Sequence, residues 1–446
     1  MKKLSFQLLT VLFLLFSFAA CSDDSVTGVD NGDTNGNGNG EEETITTIDD
    51  ETTELSGEMR GTLRAGQTYT MVGDVIIPAG EEIVAEEGVT VIAAEDEFGF
   101  EFTVEGSFIS LGTEENPNLF TVPEELRTRE NLFAGLWGGF QAKEGAEAIV
   151  LKWTRLEYLG GEGAPGTDRA GSIRYGIWTL DDQTEVIMED SWVYGSKDDF
   201  YRPVGGKINI VRNVFEYVGE DGGDIINIKG GTVGNIAYNI AIGGATNAFK
   251  PSDDGASTIQ TNIAVYNNTI LNSGFRRAGL NRGANINFEN GARGKAFNNL
   301  LINNKRGLRI LDDADLENIE YDYNWLYGSH QELVDEFLPQ DSETEQRPND
   351  VMGGVGENDP LFVDYEIDKF SMEDFERGEN QPDDLNTVGD WDFRLQADSP
   401  ALGAGTTEFS PIDVDFTLSG DRGPSILQPN ADMGAYPADG SGLRLN

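Results

Sequence analysis

Apolar and polar residues alternate in short runs along much of the chain, and glycine or asparagine interrupts the runs. Between residues 208 and 325 this pattern occurs five times, in Ile208–Phe215, Ile236–Ile242, Ile263–Leu271, Phe297–Ile302 and Tyr321–Leu326. A period of two within each run predicts β-strands, and regular repetition of the runs predicts a solenoid of short strands. Helical periodicity is nearly absent, so the pattern predicts an all-β protein.

Each repeat carries an asparagine near its middle. These asparagines lie 25 to 31 residues apart along the chain, at Asn213, Asn239, Asn268, Asn299 and Asn324. We expect each of them at the bend between two strands, because asparagine tolerates a left-handed backbone there. Its amide can also bond the equivalent amide one coil above and below. The repeat therefore predicts an internal asparagine ladder.

Segments on both sides of the repeat fit the same architecture. Val75–Ile92 and Phe102–Ser110 predict short strands separated by glycine turns, and this stretch resembles the opening coils of exported right-handed parallel β-helix proteins of the pectate-lyase-like superfamily. Asp359–Asp364 and Asp432–Tyr436 resemble the closing segment of many bacterial β-helix proteins. The resemblance implies a single-stranded right-handed parallel β-helix over residues 57–334, closed by residues 391–446. The acidic stretch 335–390 is predicted to be an excursion loop.

The N-terminus predicts export. Residues 1–20 contain an apolar run from Leu4 to Phe18 after two lysines, which is typical of a signal peptide. The run that ends at Cys21 resembles a bacterial lipobox, and the acidic Ser22–Asp24 resembles the export signal of surface lipoproteins in the Bacteroidetes. Residues 21–56 are rich in Asp, Asn, Gly, Glu and Thr and predict a flexible stalk. We therefore expect an outer-membrane lipoprotein that faces the cell surface and contacts the membrane only through a lipid on Cys21.

The amino-acid composition excludes several classes of partner and of site chemistry. The chain has 79 acidic and 31 basic residues and a formal net charge of -48, which excludes a nucleic-acid partner because that needs a cationic face. One His and one Cys leave no material for disulfides or for Cys/His zinc clusters. Carboxylate, Lys/Arg, Tyr and Asn chemistry remains. We expect a monomer whose partner is an extracellular polysaccharide.

One pair of neighbouring coils carries the candidate site. Glu220–Gly231 resembles the calcium-and-lysine strand of the chondroitinase B and alginate lyase family, and Asn247–Gly255 follows one coil later. The resemblance implies that Lys229 is the catalytic base and that Lys250 stands where the family has an arginine. It also implies calcium as a cofactor, held near Asp221 and Asp224. The implied reaction is β-elimination from a uronic acid.

This sequence departs from the family pattern in two ways, because the second acidic ligand falls on Gly222 and the arginine is Lys250. Lys229 and Lys250 are alternatively surface lysines paired with Asp224 and Asp253. Further substrate-binding candidates are charged side chains near the same coils, namely Asp198, Asp199, Asp253, Asp254, Arg276 and Arg277.

Several functions stay open. The chain is either a surface-tethered protein that binds polysaccharide or another polymer without catalysis, or a calcium-assisted polysaccharide lyase acting on uronate polymers. A purely adhesive solenoid is a third alternative. A glycoside hydrolase with facing carboxylates among Asp198, Asp199, Asp221 and Asp224 is a fourth, because the separation of two carboxylates is not visible in a sequence. Whether the protein is an enzyme is therefore left open.

Overall fold

A computed structural model describes residues 45–277, 282–367, 370 and 391–445 of the chain. The described residues form one compact unit. The predictions of a signal peptide, of a lipidated Cys21 and of the stalk up to residue 44 lie outside the described residues. Strand β1 (Thr46–Ile48) is the first described strand. It precedes residue 57, where the sequence predicts the coils to begin.

Parallel strands, numbered in chain order, stack in three faces that the chain visits in turn. Face 1 consists of β2 (Glu54–Leu63), β4 (Glu82–Ala85), β7 (Ser107–Leu111), β10 (Ala148–Lys152), β13 (Glu185–Glu189), the end of β15 (Tyr201–Val211), β18 (Gly230–Ala237), β21 (Asn262–Tyr266), β24 (Arg293–Phe297) and β27 (Ile319–Asp322). Face 2 consists of the start of β3 (Thr68–Ile77), β5 (Thr90–Ala93), β8 (Asn118–Thr121), β11 (Thr154–Leu159), β14 (Trp192–Ser196), β16 (Val214–Val218), β19 (Ile240–Gly244), β22 (Thr269–Leu271), β25 (Leu300–Ile302) and β28 (Trp325–Tyr327).

The third face, called the site face below, consists of the end of β3, β6 (Phe102–Val104), β9 (Phe140–Ala142), β12 (Ile177–Thr179), the start of β15, β17 (Ile226–Asn227), β20 (Asn247–Lys250), β23 (Ala284–Phe288) and β26 (Arg309–Ile310). Each strand pairs in parallel with the equivalent strand of the next coil. The remaining described elements are the short helix α1 (Gln331–Asp335), the antiparallel pair β29 (Phe362–Asp364) and β30 (Asp392–Leu395), and four 3-10 turns at Glu124–Leu126, Arg129–Asn131, Leu316–Asn318 and Gly420–Arg422. The protein is thus nearly all β, with a long solenoid-like parallel sheet that is compatible with a parallel β-helix.

The core lies between the three faces. On face 1, Ile210, Ile236 and Val265 occupy equivalent positions on successive coils and are fully or almost fully buried. Towards the N-terminal end, Phe102, Phe108, Phe120 and Phe140 form an aromatic cluster with ring centroids 4.5 to 6.2 Å apart. Side chains of similar type therefore stack at equivalent positions of successive coils, because parallel in-register pairing places these positions directly above one another.

The predicted asparagine ladder is confirmed. The side-chain amide of Asn213 donates to Asn239 Oδ1, that of Asn239 to Asn268 Oδ1 and that of Asn268 to Asn299 Oδ1, at 3.0 to 3.1 Å. The ladder continues from Asn299 to Asn324. All of these amides are buried.

The left-handed backbone at this bend belongs to a different residue from the one expected. The residue before each ladder asparagine has a positive φ, as at Arg212 (57°), Tyr238 (57°) and Asn267 (51°). The ladder asparagines themselves do not adopt it. Their role is therefore to hydrogen-bond, and the preceding residue turns the chain.

The C-terminal segment lies across the outer side of face 1. Phe409, Ile412 and Leu427 pack on an apolar patch made of Val211, Ala237, Tyr238, Ala264 and Tyr266. Phe416 and Leu418 pack on a second patch nearer the N-terminal coils. Because this segment covers face 1, that face is not available to a polymer. Among the described residues, no helix is long and apolar enough to cross a bilayer.

Candidate functional site

Six side chains stand one above another on the outer side of the site face. Trp178 is in register with Arg202, Asn227 with Lys250, and Asn287 with Arg309. The pairings of Tyr201 with Ile226 and of Phe249 with Ile286 join these three pairs into one row. The residues just before them in each strand, such as Ile177, Tyr201, Ile226 and Phe249, are core residues. Successive side chains of a strand point to opposite sides, so this row points away from the core. It is called the outer row below, and its members are about 4.8 Å apart.

Lys229 lies beside the outer row, two residues past Asn227. Its backbone is fixed on both sides, because its N–H donates to the Pro203 carbonyl (2.9 Å) and its carbonyl accepts from the Asp254 N–H (2.7 Å). Within the described part of the chain, the Lys229 ammonium makes no hydrogen bond or ion pair. Burial and the nearby Lys250 and Arg202 cations lower the pKa of Lys229 to about 8, and the opposing effects of Asp199 and Asp224 are smaller. Asp224 thus acts on Lys229 without forming the ion pair that the sequence alternative names.

Lys250 has a different environment. Its Nζ lies 2.9 Å from Glu289 Oε1, and Glu289 belongs to the next coil. Burial alone would lower the pKa of Lys250, but the Asp224 and Glu289 carboxylates reverse this and raise it. In Glu289, burial is likewise overcome by Lys250, which lowers the pKa of that carboxyl. Lys250 is thus a fixed cation, and its ion-pair partner is Glu289, whereas the sequence alternative named Asp224 and Asp253.

Carboxylates stack along one side of the outer row. Asp199 and Asp224 occupy successive coils, and the Asp224 N–H donates to Asp199 Oδ1 at 2.6 Å. Asp224 Oδ1 in turn accepts from the backbone and side-chain N–H groups of Asn247. The Asn227 amide donates to Asp199 Oδ2 at 2.8 Å. Buried amides and carboxylates of three coils therefore form one hydrogen-bonded network near Lys229 and Lys250.

Two carboxyl groups at the site, those of Asp198 and Asp224, have raised pKa values. Burial and the neighbouring Asp199 raise the pKa of Asp198 to about 6. Burial also raises the pKa of Asp224, against the effect of Lys250. A lysine with a lowered pKa beside carboxyls with raised pKa values is the arrangement that acid–base chemistry at neutral pH requires.

The remaining sequence candidates lie at different distances from this centre. Asp254 is exposed and touches Lys229 only through its backbone N–H, and Asp253 accepts hydrogen bonds from the N–H groups of Gly255 and Thr261 within its own loop. Asp221 is exposed. The structure therefore brings Lys229, Lys250, Asp198, Asp199 and Asp224 together and leaves the other three acids at the periphery.

The two arginines lie on a different part of the fold from Lys229. Arg276 donates to the carbonyls of Val218, Gly219 and Gly243 and stacks on Phe133. Burial lowers the pKa of Arg276 to about 10. Arg277 is half-buried, and its N–H donates to the Ala245 carbonyl. Arg276 thus ties its own loop to the end of β16 and to β19 by their carbonyl groups.

Sequence reasoning missed Arg202, Asn227 and Glu289. Arg202 ion-pairs with Asp199 at 3.1 Å and stacks on the Tyr175 ring at 4.7 Å. A signal for two of the three was present, since Asp199 and Asp224, and equally Arg202 and Asn227, are 25 residues apart, which is one coil. Glu289 had no such signal, because the coil between Lys250 and Glu289 is much longer.

The positions of the acidic side chains test the calcium site that the resemblance implies. Among the described residues, no group of three or more His, Cys, Asp and Glu side chains is placed to hold a metal ion. Asp221 is exposed, and Asp224 is buried with Oδ1 bonded to Asn247. This pair does not form the calcium site that the resemblance implies, so the chemistry below uses only the chain's own residues.

Comparison with protein-family models, curated proteins and solved structures finds no match. The functional argument therefore depends on the geometry of the site face alone.

Proposed function

We propose that the protein is an outer-membrane lipoprotein that faces the cell surface and binds an acidic extracellular polysaccharide along the outer row. The fold underlying this proposal is a right-handed parallel β-helix. The observation that carries it is the outer row, in which Trp178, Arg202, Lys250 and Arg309 are partly exposed at equivalent positions and Asn227 and Asn287 are buried.

The spacing of the row favours a polymer. Equivalent side chains recur about every 4.8 Å, close to the length of one sugar unit in an extended polysaccharide, so one coil faces about one sugar. The charges favour an acidic polymer. Lys229 makes no ion pair within the described part of the chain, whereas Arg202 and Lys250, which flank it, are paired with Asp199 and Glu289. The acidic remainder of the protein repels polyanions at long range, so salt is expected to assist the encounter by screening that repulsion.

Binding is tested with the purified full chain and three immobilised polymers: alginate, chondroitin sulfate and neutral dextran. We expect binding to one or both acidic polymers and none to dextran. The double variant Lys229→Ala/Lys250→Ala should lose most of this binding, whereas Lys295→Ala should keep it, because Lys295 lies on face 1 and donates to the Ser410 carbonyl. Equal retention of wild type and double variant would contradict the proposal.

A second function is supported by one specific observation, the lowered pKa of Lys229. A substantial fraction of its amine is neutral at slightly alkaline pH and can accept a proton. We propose a polysaccharide lyase as the alternative. Lys229 would remove the C5 proton of a uronate, and the electron pair would form the C4–C5 double bond. The C4–O4 bond would break, and O4 would leave as a hydroxyl after taking up a proton from water. Lys250 and Arg202 would hold the uronate carboxylate and stabilise its negative charge.

The lyase is tested by the ultraviolet absorbance of the unsaturated product, with calcium and with chelator. We expect the rate to rise between pH 7 and 9 as Lys229 loses its proton, and Lys229→Ala to abolish it without lowering the melting temperature. New reducing ends without absorbance would indicate hydrolysis by the Asp198, Asp199 and Asp224 carboxyls. Binding without either product would leave the protein a binder.

A further inference from the structure

A group of aromatic and cationic side chains lies at the N-terminal end of the outer row. Trp178 is half-buried and is the row member one coil before Arg202. Arg169 comes from the loop before β12 and stacks over the Trp178 ring at 5.6 Å and over the Tyr175 ring at 4.7 Å. Arg202 stacks over the same Tyr175 ring, also at 4.7 Å. An aromatic side chain in the row is thus bordered by two guanidinium groups.

Arg169 is unusual in a chain with 79 acidic residues, because none of its described neighbours is an ion-pair partner. One of its terminal nitrogens donates to the Ile173 carbonyl and to the Tyr175 hydroxyl. Its Nε is buried and has no acceptor within the described structure. A buried guanidinium N–H without an acceptor is costly, so a ligand that supplied an acceptor there would be stabilised.

A free acceptor accompanies this donor. Gln141 pairs in register with Trp178, and 2% of its surface is exposed. Its amide N–H groups donate to the Gly138 and Tyr175 carbonyls, and these bonds fix its orientation. Its Oε1 is buried and has no donor among the described residues. A sugar hydroxyl that reached this oxygen would supply the donor that it lacks.

We propose that Trp178, Arg169 and Gln141 form a distal subsite that binds an acidic sugar of the polymer. The sugar ring packs on Trp178, a hydroxyl donates to Gln141 Oε1, and Arg169 binds its carboxylate or sulfate. This inference rests on the proposed function, because it concerns the same row. It adds that recognition extends two coils, about 10 Å, from the coil that carries Lys229. A chain with one sugar at Lys229 therefore reaches Trp178 only when it has at least three sugars.

The subsite is tested by calorimetric titration with size-fractionated chondroitin sulfate and alginate oligosaccharides. For the wild type we expect a steep rise in affinity from disaccharide to tetrasaccharide. Trp178→Ala should lower tetrasaccharide affinity about tenfold, as expected for loss of one stacked ring, and leave disaccharide affinity unchanged. Trp178→Phe should retain most of the affinity. Arg169→Gln, which leaves the Trp178 ring in place, should weaken tetrasaccharide binding as well.

Arg394→Gln is the matched control, because Arg394 is an exposed arginine paired with Asp392. If Trp178→Ala and Arg169→Gln both bind tetrasaccharide as the wild type does while Lys229→Ala/Lys250→Ala does not, the subsite is overturned and the proposed function stands. If the wild type binds no acidic oligosaccharide or polymer, both are overturned.

Discussion

Lys229 offers the sharpest test of the site, because its environment predicts that replacing it stabilises the protein. Its pKa falls from an ordinary 10.5 to about 8, first through burial and then through Lys250 and Arg202. The folded state therefore disfavours the charged amine, and Lys229→Met removes that charge while keeping a side chain of similar length. A functional lysine held at a cost in stability is expected to behave in this way.

The magnitude follows from the two pKa values. One pH unit corresponds to about 1.4 kcal/mol, so the fall from 10.5 to about 8 corresponds to about 3 kcal/mol of destabilisation. Lys229 is partly exposed and solvent screens part of this, so we expect a gain of about 1 to 3 kcal/mol at pH 7. Below pH 8 both folded and unfolded chains carry the proton, and the penalty is fully present. Between pH 8 and 10.5 the unfolded chain binds more protons, so the stability of the wild type rises with pH. At pH 10 the advantage of Lys229→Met should be below about 1 kcal/mol.

The assay is urea unfolding followed by circular dichroism, for wild type and Lys229→Met at pH 7 and pH 10. Lys143→Met is the control, because Lys143 forms an ion pair with Asp168 near the surface, and its loss should cost at most about 1 kcal/mol at either pH. A Lys229→Met protein that is less stable than wild type at pH 7 would refute the reasoning. That result would mean that the Lys229 ammonium contributes a favourable interaction.

Three further predictions concern the ladder, the carboxyl network and a buried ion pair. Asn239→Ala removes the acceptor of the Asn213 N–H and the donor to the Ile210 carbonyl. Urea unfolding should therefore show a loss of about 2 to 5 kcal/mol in the free energy of unfolding. The control Asn349→Ala, at an exposed position, should lose less than about 0.5 kcal/mol. Because the pKa of Asp198 is about 6, affinity for acidic polysaccharide should fall as the pH rises from 5 to 7, and Asp198→Asn should flatten this profile; an unchanged profile would remove Asp198 from the site. Arg174→Met leaves the buried Glu101 without its ion-pair partner at 2.8 Å. The free energy of unfolding should fall by about 3 to 5 kcal/mol in the same assay. A near-neutral result would show that Glu101 is solvated.

Much of the architecture was predictable from local pattern. The alternation in Ile208–Phe215 and its four later copies predicts strands because period-two burial is a property of the strand itself. The spacing of Asn213, Asn239 and Asn268 predicts a ladder because equivalent residues must stack once successive coils pair in parallel. Lys229 and Lys250 were indicated by the resemblance to the chondroitinase B and alginate lyase family, and they lie on successive coils.

Other features depended on contacts that local pattern does not encode. The left-handed residues Arg212 and Tyr238 directly precede the ladder asparagines. No residue preference fixes the left-handed conformation to one position of a bend. Glu289 joins the site through a coil of unusual length, so no repeat spacing indicates it. The C-terminal segment covers face 1 through bonds to residues more than 150 positions away, such as Ile412 with Asn235.

The sequence by itself therefore determined the strands and the coil repeat, because these follow from short-range periodicity, and the family resemblance indicated the two lysines. Only the tertiary structure decided how those lysines differ. Burial and the arrangement of charges from four coils leave Lys229 without a partner in the described chain and tie Lys250 to Glu289. Charge interactions act through space, so their sum is set by which coils lie side by side and by how long each loop between them is.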